Sequence, residues 1–373
     1  MSEQHLNWRR RDILRTFATG AGVAGNALLF GNSKYSLSPS AAVPSPGTPP
    51  THVMPDTAIR ALEIGTCSAP EVQFDQVNSD ELMKAARDAG VQCAMIYSME
   101  HWGYALYDTK IGYKHPNLHY DYVGKQVEAA RRYGISPLCY YSFNFANEIA
   151  VRHPDWRMLT RDGKSEKRYD RFYLVCQNSP YGEFMLETFA ELFKNYDFDG
   201  LFLDIFATKP RVYSIGGDAS PFCFCRYCLA LWEKEKGAPF LDGLDTVEGR
   251  RERIEWTRQT NGDKFVDRMY KVIREYRPEA TLGGNGGCLG YWQSLIEKLS
   301  YNFGEPEISP SGVCLGAALM RGWGKPRYQE GVWLSDNRTI GDLVPSEVTR
   351  AVAASELVQG ARLFFIGSSS VRA

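Results

Sequence analysis

The pattern that decides the fold is set by three successive segments: Ala61-Leu62-Glu63-Ile64-Gly65, the helical stretch from Ser79 toward Gly90, and Cys93-Ala94-Met95-Ile96-Tyr97. A short apolar run is followed by an amphipathic stretch, which has a capping serine at its start and a glycine suited to the left-handed stop at its end. A second apolar run then follows. This order predicts two neighbouring parallel strands joined by a helix.

The same alternation recurs along the chain. Further strands are predicted at Ser136–Tyr141, Leu201–Ile205, Ala280–Asn285, Leu299–Phe303, Tyr328–Leu334 and Ala361–Ile366. Helices are predicted at Tyr122–Tyr133, from Ser179-Pro180 through Lys194, at Arg250–Arg277 and at Ser346–Gln359. About eight such units in roughly 300 residues favour a (β/α)8 TIM barrel over a doubly wound sheet. No Gly-rich phosphate loop follows the first strand, which also disfavours a nucleotide-binding fold. Because the sequence ends just after the eighth strand, we expect a barrel that lacks its closing C-terminal helix.

The composition excludes several classes of protein. The 373 residues are 44% hydrophobic, 23% charged and 13% aromatic, with a formal net charge of -1. These values describe a globular core and give no electrostatic footprint for nucleic acid or anionic lipid. The aromatic content suits stacking on sugar rings, although aromatic side chains also fill cores. A homo-oligomer is compatible with this composition.

The amino terminus resembles a twin-arginine (Tat) signal. Arg10 and Arg11 form the arginine pair, and a short, uncharged, Gly/Ala-rich stretch follows from Thr16 to Asn32. This stretch is too short and too weakly apolar for a membrane span, and Ser40-Ala41-Ala42 offers small residues for cleavage. We therefore predict a signal peptide at residues 1–42, a linker at 43–58 and the barrel at 59–373, with export to the periplasm or the exterior and no membrane association after cleavage. The alternative is a basic amino terminus without a targeting role.

A carboxylate closes the fourth predicted strand, in Leu201-Phe202-Leu203-Asp204-Ile205. A barrel places its working groups at the carboxyl ends of its strands, and an aspartate after three apolar residues faces the mouth or is buried at large cost. Glycoside hydrolysis needs a second carboxyl group. Glu305, directly after the Tyr301-Asn302-Phe303 segment, is the predicted acid/base. If the two groups lie about 5–5.5 Å apart, Asp204 is a nucleophile and configuration is retained, whereas a wider gap indicates inversion.

Further polar and aromatic side chains follow predicted strands, where a sugar would bind. The predicted substrate-binding residues are His101, Trp102, Asn144, Asn285, Glu307 and Glu330. Glu307 and Glu330 are also the other candidates for the second catalytic carboxyl group. For His101, a structural role is the alternative.

The most specific motif is Cys223-Phe224-Cys225-Arg226-Tyr227-Cys228. Three thiols within six residues can converge on one tetrahedral zinc ion, and Cys176, in the loop before the predicted helix that runs through Lys194, is the best fourth ligand. With four thiolates no coordination position stays open, so the metal would be structural and would join two loops. The alternative is a disulfide plus a free thiol.

This motif and its upstream Cys176-Gln177-Asn178-Ser179-Pro180 resemble the zinc site of family 42 β-galactosidases, and the four cysteines match that pattern one by one. The Asn-Glu acid/base pair usual in those enzymes is absent, because the fourth strand ends in Asp204-Ile205.

The region Glu100–Ser142 instead resembles α-L-fucosidases of families 29 and 151, through His101-Trp102-Gly103, then Gly134-Ile135-Ser136-Pro137, then Tyr140-Tyr141-Ser142. In those enzymes an aspartate that ends the fourth strand is the nucleophile, which corresponds to Asp204. From Ala61 to Gly367 the chain is most similar to the barrels described as hypothetical glycosyl hydrolase 6.

These observations lead to an expected function. We expect an exported, retaining, α-L-fucosidase-like glycosidase that removes a terminal sugar from an oligosaccharide or glycoside, with Asp204 as nucleophile and Glu305 as acid/base. A non-catalytic carbohydrate-binding barrel and a β-galactosidase-like enzyme are the alternatives. Aryl glycosides distinguish these readings, because a binding protein would not release the aryl alcohol.

Overall fold

A computed structural model describes most of the chain after residue 51. The described residues are 52–66, 69–74, 77–165, 167–168, 171–206, 222–285, 297–304, 310–322, 328–333 and 344–369. The predicted signal peptide at residues 1–42 lies outside them. Within this part of the chain, no helix has the length and apolar character needed to cross a membrane.

Eight parallel strands form one sheet. They are β1 (Arg60–Thr66), β2 (Cys93–Met99), β3 (Ser136–Ser142), β4 (Gly200–Asp204), β5 (Thr281–Gly284), β6 (Asn302–Gly304), β7 (Tyr328–Trp333) and β8 (Arg362–Ser369). The order across the sheet is β5-β4-β3-β2-β1-β8-β7-β6. Every neighbour pair is parallel, and an isolated parallel bridge joins Asn285, after β5, to Phe303 of β6. The first strand thus pairs with the last, as in a sheet of the TIM-barrel type.

Helices connect the strands. They are α1 (Ser79–Asp88), α2 (Tyr122–Arg132), α3 (Asn147–Arg152), α4 (Tyr181–Asn195), α5 (Arg226–Lys236), α6 (Val247–Thr257), α7 (Lys264–Tyr276), α8 (Pro310–Gly322) and α9 (Ser346–Val358). A 3₁₀ turn at Pro154–Trp156 and a small hairpin, Lys167–Arg168 with Phe172–Tyr173, lie between α3 and α4.

Local sequence explains where two of these helices begin and end. Gly90 and Gly134 follow α1 and α2 with φ of 77° and 68°, a left-handed conformation that costs glycine nothing. The predicted cap of α1 was wrong by one residue, because the side chain of Asn78, not Ser79, accepts a hydrogen bond from the backbone of Glu81 at 3.1 Å. Asn and Asp lead the residues preferred at this position.

The long helix predicted at Arg250–Arg277 is not one regular helix. It starts at Val247, and a π turn at Arg258–Asp263 separates α6 from α7. The π turn is an uncommon conformation that often accompanies a functional contact.

Aromatic side chains from alternate strands pack against one another on the inner face of the sheet. Phe202 of β4, Phe303 of β6 and Phe364 of β8 lie with ring centroids 5.0 to 6.0 Å apart. Alternate strands supply one layer of the interior in a TIM barrel. This layer lies beneath the carboxyl ends of the strands, where the polar side chains begin.

Candidate active site and cysteine cluster

Asp204 is the last residue of β4, and its side chain is held by three hydrogen bonds. Its backbone carbonyl accepts from Phe143 at 2.8 Å, which fixes the strand end. Oδ1 accepts from the backbone of Ile205 at 2.7 Å and from Nδ2 of Asn285 at 3.0 Å, while Oδ2 accepts from the hydroxyl of Tyr140 at 2.5 Å. Among the described residues Oδ2 thus takes one hydrogen bond and Oδ1 two. Oδ2 therefore has more capacity left than Oδ1 to contact a bound molecule.

His101 lies beside this carboxylate. Its Nε2 is 3.6 Å from Oδ2 of Asp204, and its Nδ1 is 2.9 Å from Oγ of Ser142. The Ser142 hydroxyl donates its single hydrogen to the carbonyl of Phe145 at 3.0 Å, so it accepts from Nδ1–H of the imidazole. This leaves Nε2 as the nitrogen that faces Asp204. The predicted residues His101, Asn285 and Asp204 are therefore brought together.

A stacked pair of tyrosines lies beside Asp204. The rings of Tyr97 and Tyr140 are stacked nearly parallel, with centroids 3.7 Å apart and an interplanar angle of 4°. Tyr97 donates its hydroxyl to Glu63, as Tyr140 does to Asp204. Burial, together with these carboxylates, raises the pKa of both tyrosines well above the usual value of 10.0. Both hydroxyls therefore remain protonated and act as donors.

Sequence reasoning missed four residues of this arrangement: Glu63, Tyr97, Glu100 and Tyr140. Glu63 lies in β1, and Glu100 is a buried residue directly after β2. The negative charge of Glu100 contributes to the raised pKa of both tyrosines, so a third carboxylate lies near the pair. The available signal was Glu63 itself, a charged residue in the middle of an apolar strand.

Trp102 and Asn144 differ in their suitability for sugar binding. Trp102 is partly exposed and packs edge-on against Phe172 at 5.4 Å. Asn144 was predicted to bind a sugar hydroxyl, but it is fully buried and donates to the carbonyl of Val175 at 2.9 Å and to Gln177 at 3.2 Å. With no exposed surface, Asn144 instead holds the loop after β3 against the segment that precedes α4.

Three predicted glutamates have no described side chain. Glu305 and Glu307 lie outside the described residues. Glu330 lies in β7, in register with Gly304 and Leu363, and its side chain is likewise outside the described part.

The four predicted cysteines converge. The sulfur atoms of Cys176, Cys223, Cys225 and Cys228 all lie within 4.8 Å of one another. The thiols are free, and the 3.4 Å between the sulfurs of Cys176 and Cys228 exceeds the roughly 2.05 Å of a disulfide. The four thiols can therefore hold a metal ion, since soft sulfur donors in a compact group of four suit tetrahedral coordination.

Electrostatics within the cluster favour negative charge on one sulfur. Hydrogen bonding from Cys176 and the other two thiols lowers the pKa of Cys225, and the same contacts raise the pKa of Cys176. A bound cation would remove this conflict, because metal-bound thiols are deprotonated.

An amide chain connects the cysteine cluster to the π turn. Nδ2 of Asn178 donates to the sulfur of Cys228 at 3.3 Å and to Oδ1 of Asn261 at 2.8 Å. Asn261 lies in the π turn Arg258–Asp263 and is buried. Groups that hydrogen-bond to metal ligands in this way orient the ligands and tune their charge.

The cysteine cluster and the candidate active site share a small apolar core. Its buried members are Phe145, Met158, Phe172, Leu174, Cys176, Cys225 and Cys228. Trp102 and Ile205, each next to a candidate active-site residue, pack against it. Rings of the same core contact His101, with centroids 5.1 Å away for Phe145 and 5.3 Å for Phe172.

Residues 78–205 match the family described as hypothetical glycosyl hydrolase 6. The matched stretch contains His101, the tyrosine pair, Cys176 and Asp204. The resemblance inferred from sequence is thus confirmed for the part of the chain that carries these residues. No curated protein matches the sequence.

Solved glycosidase structures share the fold. An α-L-fucosidase isoenzyme 2 from Paenibacillus thiaminolyticus superposes with a TM-score of 0.68 at 20% identity, over 83% of this chain and 46% of that one. A β-galactosidase from the psychrophilic Marinomonas ef1 gives 0.56 at 12%, over 83% and 54%. An α-galactosidase from Lactobacillus brevis gives 0.53 at 11%, over 86% and 38%. The chain therefore spans about half the length of these proteins or less.

Proposed function

We propose that this protein is a retaining glycoside hydrolase, α-L-fucosidase-like, with Asp204 as its nucleophile. The observation that carries the proposal is the position of Asp204. It closes β4, accepts three hydrogen bonds and lies beside His101, within the stretch that matches a glycosyl hydrolase family. Glycosidase barrels hold their catalytic carboxylates at strand ends of this kind.

The proposed reaction uses two carboxyl groups, those of Asp204 and Glu305. Oδ2 of Asp204 attacks the anomeric carbon while the bond to the leaving oxygen breaks, and Glu305 protonates that oxygen. Water, deprotonated by Glu305, then releases the sugar from Asp204. The position of Glu305 in the sequence, directly after the last residue of β6, supports this role.

Substrate recognition would use the polar groups around Asp204. Nε2 of His101 is available to a sugar hydroxyl, and Trp102 offers a partly exposed ring. We assign Asn285 to orienting Asp204, since its amide donates to Oδ1. Glu307 and Glu330 remain predicted binding residues.

The test uses 4-nitrophenyl glycosides and the variant Asp204→Asn, which keeps the size of the side chain. We expect the wild type to release nitrophenol from the α-L-fucoside and the variant to lose this activity while staying folded. Azide, a small nucleophile, should restore cleavage in Asp204→Gly, where the missing side chain leaves room for it, and yield a glycosyl azide of inverted configuration. Asp197→Asn, at an exposed aspartate before the same strand, is the matched control and should behave as wild type. Normal turnover by Asp204→Asn would rule the assignment out.

A β-galactosidase-like enzyme is the second candidate, favoured by the convergence of four cysteines in the family 42 pattern. The same panel of substrates decides between them by the sugar that is cleaved. Binding of sugar without release of nitrophenol would favour a carbohydrate-binding barrel instead.

The cysteine cluster is proposed to hold one structural zinc ion. The thiol-only donor set and the compact arrangement of the four sulfurs support zinc. Bound there, the ion would leave no position open for water and would join the loop after β4 to the segment before α4.

We further propose that the strands close into a (β/α)8-type barrel and that the protein is exported by the Tat route. The bridge between Asn285 and Phe303, which joins the two edge strands, supports closure. Arg10 and Arg11 in the predicted signal support export. A fusion of residues 1–58 to a reporter that requires folding before export would test the second point.

A further inference from the structure

Ile205, the residue after Asp204, has a backbone conformation that isoleucine rarely adopts. Its φ is 49°, and it is the one described residue other than glycine with a positive φ. A β-branched side chain in this left-handed region is a genuine outlier, and such strain persists when the surroundings hold the residue in place.

This conformation has a direct effect on Asp204. The backbone N–H of Ile205 donates to Oδ1 of the preceding aspartate at 2.7 Å. Together with the amide of Asn285 on Oδ1 and the hydroxyl of Tyr140 on Oδ2, it fixes the plane of the carboxylate. If the Asp204–Ile205 peptide plane rotated so that Ile205 relaxed to a negative φ, the Ile205 N–H would turn away and Asp204 would lose one of three restraints.

The side chain of Ile205 shows what holds this conformation. It packs against the apolar core that contains Cys176, Cys225 and Cys228. The core lies between the loop after β4 and the segment that precedes α4, so its shape depends on whether the four cysteines stay together. A metal ion bound by all four would stiffen the surface on which Ile205 lies.

We propose that Ile205 is a positioning residue that couples the cysteine cluster to Asp204. The assembled cluster holds Ile205 in its left-handed conformation, and the Ile205 N–H then orients the carboxylate for attack by Oδ2. This inference rests on the proposed role of Asp204. The coupling gives the cysteine cluster a part in the reaction, although the cluster itself touches no substrate.

Kinetics of two variants test the proposal. Ile205→Gly removes the contact with the core while tolerating a positive φ, so the backbone is free to leave the conformation. We expect kcat on the 4-nitrophenyl glycoside to fall by up to about 100-fold, as for a misplaced reacting group, with KM changed by less than about twofold. Leu159→Ala is the matched control, because Leu159 packs against the same core without contacting Asp204, and kcat should stay as in wild type. Wild-type kcat in Ile205→Gly would overturn the proposal.

A second measurement does not depend on activity. The δ1-methyl NMR signal of Ile205, identified by its loss in Ile205→Val, should shift when a chelator strips zinc from the full-length protein. The methyl signals of Ile149 and Ile273, in the main core, should stay in place. An Ile205 signal that stays unchanged on zinc removal contradicts the coupling. If all three signals shift together, the kinetics of Ile205→Gly decide. A shift of Ile205 alone in a protein that cleaves no glycoside would sink the proposed function and leave the coupling standing.

Discussion

The hydroxyl of Tyr140 lies 2.5 Å from Oδ2 of Asp204, while its ring stacks on Tyr97, which donates to Glu63. The stacked tyrosines thus connect the carboxylate of Glu63 on β1 to that of Asp204 on β4. Because each hydroxyl donates its only hydrogen to a carboxylate, the pair stabilises negative charge on both acids without neutralising either.

Tyr140→Phe should therefore lower kcat while keeping the fold. Without this donor the carboxylate loses one of the three contacts that fix its plane, and a misplaced reacting group costs up to about 100-fold in rate, so we expect a loss of about 10- to 100-fold. Tyr141→Phe is the matched control, since the neighbouring Tyr141 packs on Phe189 of α4. Equal losses in the two variants would show that the effect is structural and does not come from the contact with Asp204.

The strands and the position of Asp204 could be predicted because each rests on local signals. Apolar runs such as Leu201–Leu203 identify buried parallel strands, and strand order then follows from the right-handed β-α-β connection. The convergence of Cys176 with Cys223 was also predictable, since the loops after neighbouring parallel strands meet at one end of the sheet.

The surroundings of Asp204 could not be predicted in the same way. Whether Glu63 or Tyr97 points inward depends on strand register, and a shift of one residue moves every side chain to the other face. Ser142 ends β3 and Asn144 lies two residues later, yet their partners differ. Asn144 donates to the backbone carbonyl of Val175, whereas Ser142 bonds to the imidazole of His101. Such contacts between distant segments leave no periodic signal in the sequence.

The protein should lose stability steeply above pH 10. Burial raises the pKa of Tyr97, Tyr107, Tyr140 and Tyr181 well above 10.0. Below pH 10 these groups are protonated in both states, but above it the unfolded chain releases protons that the folded chain keeps, so unfolding becomes more favourable. Each such tyrosine contributes a slope of up to about 1.4 kcal/mol per pH unit.

Urea unfolding between pH 8 and 11, with tyrosinate absorbance recorded in parallel, measures this slope. Burial also raises the pKa of Tyr122, the first residue of α2, so Tyr122→Phe should reduce the slope by the share of one tyrosine. A free energy of unfolding that stays constant from pH 9 to 11 would contradict the prediction.

Cys225→Ser should lower both the metal content and the melting temperature. Wild type should contain about one zinc ion per chain by elemental analysis, and loss of one thiolate from a four-cysteine site removes a ligand that the protein cannot replace. Cys314→Ser is the control, because Cys314 is a partly exposed cysteine of α8 outside the cluster. A full equivalent of zinc and an unchanged melting temperature in Cys225→Ser would defeat the zinc assignment.

Asn178→Ala should weaken zinc binding without removing a ligand. The amide of Asn178 donates to Cys228 and to Asn261 of the π turn, so its loss leaves the sulfur of Cys228 with more uncompensated negative charge and a less defined orientation. Removing a group of this kind costs about 10- to 100-fold in metal affinity, which competition with a chromophoric chelator measures directly. Gln259→Ala changes the same π turn at an exposed residue that bonds to Glu255, and it should leave the affinity unchanged. If both variants weaken binding equally, the π turn acts on the cluster through its backbone. If only Asn178→Ala weakens binding, the effect comes from the hydrogen bond between the Asn178 amide and the Cys228 sulfur.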